Sequence, residues 1–153
     1  PTNGSTAGYP NPNFINGEHY VETRIVRSGK QSMPLVYDNS VGLSEVTRTL
    51  NADWTEGGVV KLTLFYRGLA DNAPEQMFVA IDGVVVNNDD ANAALAEEWT
   101  RWLIPLETFT SQGVNLNNVG SITIGFGNKA NPTAGGGEGH VFFDDIRLYK
   151  EWP

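Results

Sequence analysis

The chain has 153 residues, no cysteine and a formal net charge of −8. The lack of cysteine excludes a disulfide scaffold, a thiolate metal site and a cysteine nucleophile. An acidic chain repels nucleic acid and anionic membrane surfaces, and no apolar run in it is long enough to span a membrane. The length fits one domain, and 17 glycines and 8 prolines beside 18% charged residues favour an all-β domain with many turns.

The first part of the chain is rich in turn-forming residues. Residues 1–17 are predicted to form an irregular arm or linker, followed by a β-sandwich body at residues 18–153. Within the body, residues 20–26 and residues 32–38 are predicted to be strands. Pro34 lies in the second of them and, because proline donates no hydrogen bond, predicts an edge position or a bulge there.

The middle of the chain alternates between apolar and polar residues. Residues 44–50 and 59–67 are predicted strands, and residues 76–81 are expected to pair with the latter. Asp82-Gly83 is a strong hairpin signal. The inward face of the longer strand comprises Val60, Leu62, Leu64 and Tyr66. Its outward face comprises Lys61, Thr63, Phe65 and Arg67.

Further short strands follow. Residues 87–98 are the only segment with helical propensity, and residues 99–106 are a strand whose inward side chains are Trp102, Ile104 and Leu106. Residues 121–126 alternate cleanly. Eight or nine strands at this spacing, each with one polar face, predict a two-sheet antiparallel β-sandwich of the jelly-roll type.

Two adjacent acids interrupt the apolar closing run of residues 139–149. Strand alternation predicts that Asp144 points inward with Phe142, Ile146 and Leu148. A carboxylate on a buried face is costly unless a cation or several hydrogen-bond donors compensate its charge. The residues alone leave both possibilities open.

Several short motifs resemble a known family when taken in order. They are Ser-Gly-Lys-Gln-Ser-Met from Ser28, then Tyr-Asp-Asn, Ser-Glu-Val-Thr-Arg-Thr-Leu and Asp-Trp-Thr, and finally Val-Phe-Phe-Asp-Asp-Ile-Arg-Leu ending at Leu148. This order resembles galactose-binding-like jelly rolls, the calcium-containing β-sandwiches used by many carbohydrate-binding modules. The resemblance covers about residues 20–148.

The resemblance implies one structural calcium ion. In such modules the ion usually lies between the first strands and the last, and here Asp144, or alternatively Asp145, would be its ligand from the closing strand. Backbone oxygens of the turn from Ser28 to Lys30 would add to the shell. The family usually takes another acid from an initial strand, which is irregular here, and Glu18 or Glu22 could replace it. Calcium suits such hard oxygen ligands, whereas zinc would need more histidine or cysteine.

The outward face of residues 59–67 is the candidate sugar site. Phe65 lies between Lys61 and Arg67, and an aromatic ring between cations can stack on a sugar while arginine donates to hydroxyls or carboxylates. The alternative is an ordinary solvated face. Further candidates for this site are Arg48, Arg101, Trp54 and Trp99, the two tryptophans being equally consistent with packing at the rim.

We therefore expect a non-catalytic carbohydrate-binding module that holds an attached enzyme near a polysaccharide or oligosaccharide. It would be part of a larger, secreted multidomain protein. The alternative is an architectural or adhesion domain without sugar binding. An enzyme is not expected, because His19 and His140 belong to no nucleophile motif and the clustered acids lie in a polar loop.

Overall fold

The computed structural model describes residues 2–9 and 12–151, and consists of two five-stranded sheets packed face to face. Pro1, Pro10, Asn11, Trp152 and Pro153 lie outside the described residues. The first sheet has the order β1 (Thr2–Asn3), β4 (Gly42–Ala52), β9 (Val119–Phe126), β6 (Met77–Ile81), β7 (Val84–Asn87). The second sheet has the order β2 (Thr6–Ala7), β3 (Met33–Asp38), β10 (Glu138–Lys150), β5 (Val59–Arg67), β8 (Thr100–Pro105). A one-turn helix, α1 (Glu107–Thr110), follows β8.

This architecture confirms the predicted two-sheet β-sandwich of the jelly-roll type. Strand pairs are antiparallel except β1 with β4, which run parallel. Most of the predicted inward residues meet in the core between the sheets, and Leu35, Tyr37, Leu62, Leu64 and Ile104 are essentially inaccessible to solvent. The inward position predicted for Val60 is wrong, because its side chain is 38% exposed. No helix in the described part of the chain has the length and apolar character needed to cross a membrane.

The predicted strand at residues 20–26 is wrong. This segment is bent, and its single sheet-like contact is an isolated bridge between Glu22 and Ser32. The cause is local, because the Glu22 carboxylate accepts the backbone amides of Arg24 and Ile25 and curls the chain around itself. Within the predicted arm, β1 and β2 each add two residues to the edge of one sheet.

The expected pairing of residues 76–81 with residues 59–67 is also wrong. β5 pairs with β10 and β8 in the second sheet, whereas β6 pairs with β9 and β7 in the first. The connection between β5 and β6 crosses from one sheet to the other. Buried Asn72 anchors it by donating to the carbonyls of Ala94 and His140 and accepting the His140 amide.

The hairpin predicted at Asp82-Gly83 is confirmed. Asp82 and Gly83 have φ angles of 47° and 82° and join β6 to β7 in a two-residue hairpin, as predicted. The helical propensity of residues 87–98 produces only a three-residue turn of 3₁₀ helix, Ala93–Leu95. Pro34 pairs in register with Phe142 of β10 on one side, and on the other side, just past the end of β2, its carbonyl accepts the amide of Gly8.

A bulge in β10 changes the direction of the closing side chains. Asp144 pairs with Phe65 and Arg147 with Thr63, so β10 has one more residue than β5 between these pairs, and Asp145 has a φ of 50°. Val141 and Phe143 therefore face the core before the bulge, and Leu148 packs against it afterwards. The prediction that Asp144 points inward with Phe142, Ile146 and Leu148 is wrong, because Asp144 alternates with the core residue Phe143 and Ile146 is 43% exposed. Of these four residues, Leu148 packs against the core because it follows the bulge.

Candidate functional site

The outward side chains of β8, β5 and β10 form a trough on the second sheet, with a cavity volume of about 380 Å³. Because Leu62 and Leu64 face the core, Lys61, Thr63 and Phe65 lie on the opposite face of β5, where Thr63 is almost completely covered by its neighbours. The strand register arranges this face in three cross-strand rows: Tyr149–Lys61–Pro105, Arg147–Thr63–Leu103 and Asp144–Phe65–Arg101. The trough is lined by Arg27, Lys61, Thr63, Phe65, Arg101, Leu103, Tyr149 and Lys150.

Arg27 covers one face of the Phe65 ring. Its guanidinium carbon lies 3.4 Å from the ring centroid, which is the geometry of a cation–π contact. The guanidinium also pairs with the carboxylate of Asp145, and 37% of the Arg27 side chain stays exposed. The flat surface that Phe65 was predicted to offer is therefore presented by Arg27 instead.

The closing acids hold Arg27 in this place. Asp144 accepts the backbone amides of Arg27 at 2.9 Å and Ser28 at 3.2 Å, and its other oxygen accepts the amide of Asp145 at 2.7 Å. Asp145 accepts the Ser28 hydroxyl at 2.7 Å and the guanidinium of Arg147 at 2.5 Å. The turn that carries Arg27 is thus fixed to β10 from both its backbone and its side chains.

These contacts stabilise the ionised form of Asp145, whose side chain is only 5% exposed. The hydrogen bond from Ser28, followed by those from Arg27 and Arg147, outweighs burial and holds the pKa of the Asp145 carboxyl below its ordinary value. The negative charges of the two acids are therefore compensated by hydrogen-bond donors and, at Asp145, by cations of the protein itself.

The trough brings together three of the predicted sugar-binding residues, Lys61, Phe65 and Arg101. Arg67 lies beyond it, with its Nε atom buried and without a hydrogen-bond partner among the described residues. Arg48 lies elsewhere, beside an apolar crevice that Val46 and Ile122 help to line.

The two tryptophans predicted for the site do not line the trough. Trp54 is 9% exposed and packs with the core, and its amide donates to the carbonyl of Leu116 in the turn that precedes β9. This burial favours the packing alternative for Trp54, and a ligand contact there stays a prediction. Trp99 is half-buried just before β8.

Four lining residues with the chemistry of a binding site were missed: Arg27, Leu103, Tyr149 and Lys150. Alternation along residues 99–106 places Leu103 opposite to the inward Ile104, so its exposure could have been predicted. The orientation of Tyr149 and Lys150 depends on the bulge in β10, and the position of Arg27 depends on a turn that is distant in sequence. No local sequence pattern indicates that these three residues line the trough.

The carboxylates of Asp144 and Asp145 already have protein partners in this arrangement. The oxygens of Asp144 and Asp145 are occupied by amide, hydroxyl and guanidinium donors, and Ser28 directs its N–H and O–H groups toward them. Two guanidiniums beside Asp145 would repel a dication. No group of three acidic or histidine side chains that could hold a metal occurs within the described ranges.

Glu18 and Glu22, the other predicted ligands, line a separate cavity of about 430 Å³. Glu18 accepts the amide of Asn13 at 2.7 Å, and Glu22 accepts the hydroxyl of Tyr9 and two backbone amides. Because these bonds fix the shape of the segment, both carboxylates have a structural role there. Calcium binding at Asp144, Asp145, Ser28, Lys30, Glu22 or Glu18 stays a prediction.

No protein-family model and no curated protein sequence matches this chain. Among solved structures, the chain is similar to the family 11 carbohydrate-binding module of the cellulosomal cellulase Lic26A-Cel5E of Clostridium thermocellum. That match has 19% identity and a TM-score of 0.58, and it covers 97% of this chain and 87% of the other.

Two further similarities extend this result. One is to part of an exo-beta-agarase, with 11% identity and a TM-score of 0.61, covering 87% of this chain and 22% of the agarase. The other is to a structure described among carbohydrate-binding modules of the β-sandwich superfamily, with 14% identity, a TM-score of 0.53 and coverages of 85% and 52%. At these identities the comparisons establish a shared fold.

Proposed function

We propose that this chain is a non-catalytic carbohydrate-binding module that holds polysaccharide in the trough of β8, β5 and β10. The observation that carries the proposal is the convergence of Lys61, Phe65 and Arg101 with the exposed side chains of Leu103 and Tyr149 in one trough. The fold shared with carbohydrate-binding modules supports the same function.

The chemistry of the trough suits a sugar chain. A sugar ring has an apolar C–H face that packs against flat surfaces, and Tyr149 and the guanidinium of Arg27 on Phe65 offer two of these. The hydroxyl groups need directional partners, which the planar guanidinium of Arg101 and the hydroxyl of Thr63 can supply.

The proposed context is a secreted multidomain protein in which this module keeps an attached enzyme at its substrate. Support comes from the two similar structures that belong to polysaccharide-degrading enzymes, a cellulase and an agarase. A role in holding substrate needs no catalytic group, which is consistent with the structural roles of the carboxylates Asp144, Asp145 and Glu22.

Affinity electrophoresis in gels containing plant, algal and bacterial polysaccharides tests the proposal. Tyr149→Ala should lower the affinity for the retained polysaccharide about tenfold or more, equivalent to about 1.4 kcal/mol, because it removes an exposed flat surface. Tyr20→Ala is the matched control, since Tyr20 is 59% exposed and does not line the trough.

Melting curves must show that both variants are folded. Equal loss of retention in the two variants would place binding elsewhere on the molecule. Failure of the unchanged protein to be retained by any of these polysaccharides would contradict carbohydrate binding itself.

A further inference from the structure

The trough is basic although the protein is acidic. Four of the ten lysines and arginines in the chain line it, namely Arg27, Lys61, Arg101 and Lys150. Among the described residues, no aspartate or glutamate belongs to its lining. In a chain of net charge −8, such a concentration of positive charge focuses an attractive field for anions at this one place.

Most of these cations are not paired with an acidic side chain among the described residues. Arg27 is paired with Asp145, but Lys61, Arg101 and Lys150 form no ion pair within the described ranges. Asp144 lies across from Phe65 in the register, and its oxygens are directed to backbone amides. Like charges that converge without partners repel one another, so a bound anion would relieve an unfavourable interaction that is already present.

The cations are divided between two ends of the trough. Lys150 pairs in register with Val59, next to Lys61, while Arg101 lies opposite Phe65, whose ring Arg27 covers. The two ends are about 13 Å apart at about 3.3 Å per residue along β5. A polymer that carries a charge on successive units can contact both ends at once.

The surface between the two ends is suited to sugar rings. Leu103, 38% exposed, lies in the middle row beside Thr63, which forms the floor with 5% of its surface accessible, and Tyr149, 39% exposed, flanks this surface in the row of Lys61. Arginine at one end can form two parallel hydrogen bonds with a carboxylate or sulfate, whereas the lysines act as point charges at the other.

We infer that the trough selects an acidic polysaccharide, one that carries uronate carboxylates or sulfate esters, over a neutral one. This inference rests on the proposed function and specifies its ligand class. The charged groups of the sugar meet the two cationic ends, and the ring faces pack between them.

Isothermal titration calorimetry of the whole chain tests this selection. The probes are an oligogalacturonate, a sulfated galactan oligosaccharide, a neutral gluco-oligosaccharide and polyglutamate, a polyanion without sugar rings. At least one acidic oligosaccharide should bind about tenfold or more tightly than the neutral one, a difference of about 1.4 kcal/mol. The two acidic probes distinguish carboxylate from sulfate as the preferred group.

The variant Lys61→Gln/Arg101→Gln removes one cation from each end. It should lose about tenfold or more of the affinity for the acidic oligosaccharide and little for the neutral one, while its melting temperature stays unchanged because both side chains lie on the surface of the trough. Arg24→Gln is the matched control, since Arg24 is exposed and lies beside the other cavity. It should bind as the unchanged protein does.

Each contrary result has a distinct meaning. If the neutral oligosaccharide binds as tightly as the acidic ones and the double variant is unaffected, the charge selection is wrong and carbohydrate binding stands. If polyglutamate binds as tightly as the acidic sugars, the trough recognises charge alone and the inference is overturned. If no oligosaccharide binds, the proposed function fails together with it.

Discussion

Asp145 connects three parts of the molecule through one carboxylate. Its oxygens accept hydrogen bonds from Ser28, Arg27 and Arg147. The backbone of Asp145 is in a left-handed conformation that residues other than glycine rarely adopt. The strain is acceptable because the bulge directs the carboxylate toward these donors. The position of Arg27 on Phe65, and with it the shape of the trough, depends on this residue.

Asp145→Asn should therefore lower the free energy of unfolding. Hydrogen bonds to charged groups contribute about 1.5–3 kcal/mol each to stability, and the loss is expected in that range because the neutral amide would retain only some of the donors that the carboxylate holds. Urea denaturation at pH 7 measures the difference. Asp89→Asn is the control, since Asp89 is an exposed loop residue. Equal stability of the two variants would show that Asp145 does not hold the turn.

The same contacts predict the effect of pH. The hydrogen bond from Ser28 and the two guanidiniums lower the folded-state pKa of Asp145, so its contribution is fully present above the unfolded-state pKa of about 3.9 and is lost as pH falls through the lower folded-state value. The stability difference between the unchanged protein and Asp145→Asn should accordingly shrink below about pH 4.

For individual residues, the sequence indicates an unusual environment more readily than the partners that create it. That an acid of the closing run needs a compensating cation or several donors follows from its place among apolar residues. The identity of the donors does not, because Arg27 and Ser28 are more than a hundred residues away in the chain. Trp54 was ambiguous for a similar reason, since a polar loop gives no sign that its one large side chain enters the core.

Among the elements, a hairpin turn and most of one strand's inward face were predicted from local patterns, whereas the bent segment at residues 20–26 and the elements fixed by distant pairing were not. The β6–β7 hairpin follows from Asp82-Gly83, and the inward face of β5 follows from alternation. The assignment of β5 and β6 to different sheets depends on how the connection between them packs around Asn72. The bulge in β10 depends on its register against β5.

The hairpin gives a test at this scale. Gly83 has a φ of 82°, and Gly83→Ala should lower the free energy of unfolding by about 1 kcal/mol because alanine is strained in that conformation. Gly83→Asn should cost less, since asparagine tolerates left-handed geometry better. Thermal unfolding of both variants measures the difference, and equal effects would mean that the turn geometry does not limit stability.

For the whole molecule, the arrangement predicts that stability does not depend on calcium. The closing acids are compensated by Ser28, Arg27 and Arg147, so the melting temperature should be the same in calcium and in EDTA. A site filled at a hundred times its Kd would add about 2.7 kcal/mol. At about 2–4 °C per kcal/mol for a chain of this size, a lower melting temperature in EDTA would be easily detected and would favour the predicted ion.

The positive charge of the trough contrasts with the negative net charge of the whole molecule. A chain of net charge −8 that gathers four of its ten cations in one trough should repel most polyanions everywhere else on its surface. Sugar binding on the outward face of β5 could be proposed from the sequence because alternation places Lys61 and Phe65 on the same face of the strand. Its extension to Arg27, Tyr149 and Lys150 required the register of β10.

The most direct test of carbohydrate binding in the trough is an NMR titration of the ¹⁵N-labelled chain with the oligosaccharide that binds most tightly. The backbone amide signals of Lys61, Phe65, Arg101 and Leu103 should shift in a saturable manner, since these residues line adjacent strands of the trough. Shifts confined to the cavity at Glu18 and Glu22, or no shifts at saturating sugar, would contradict the account.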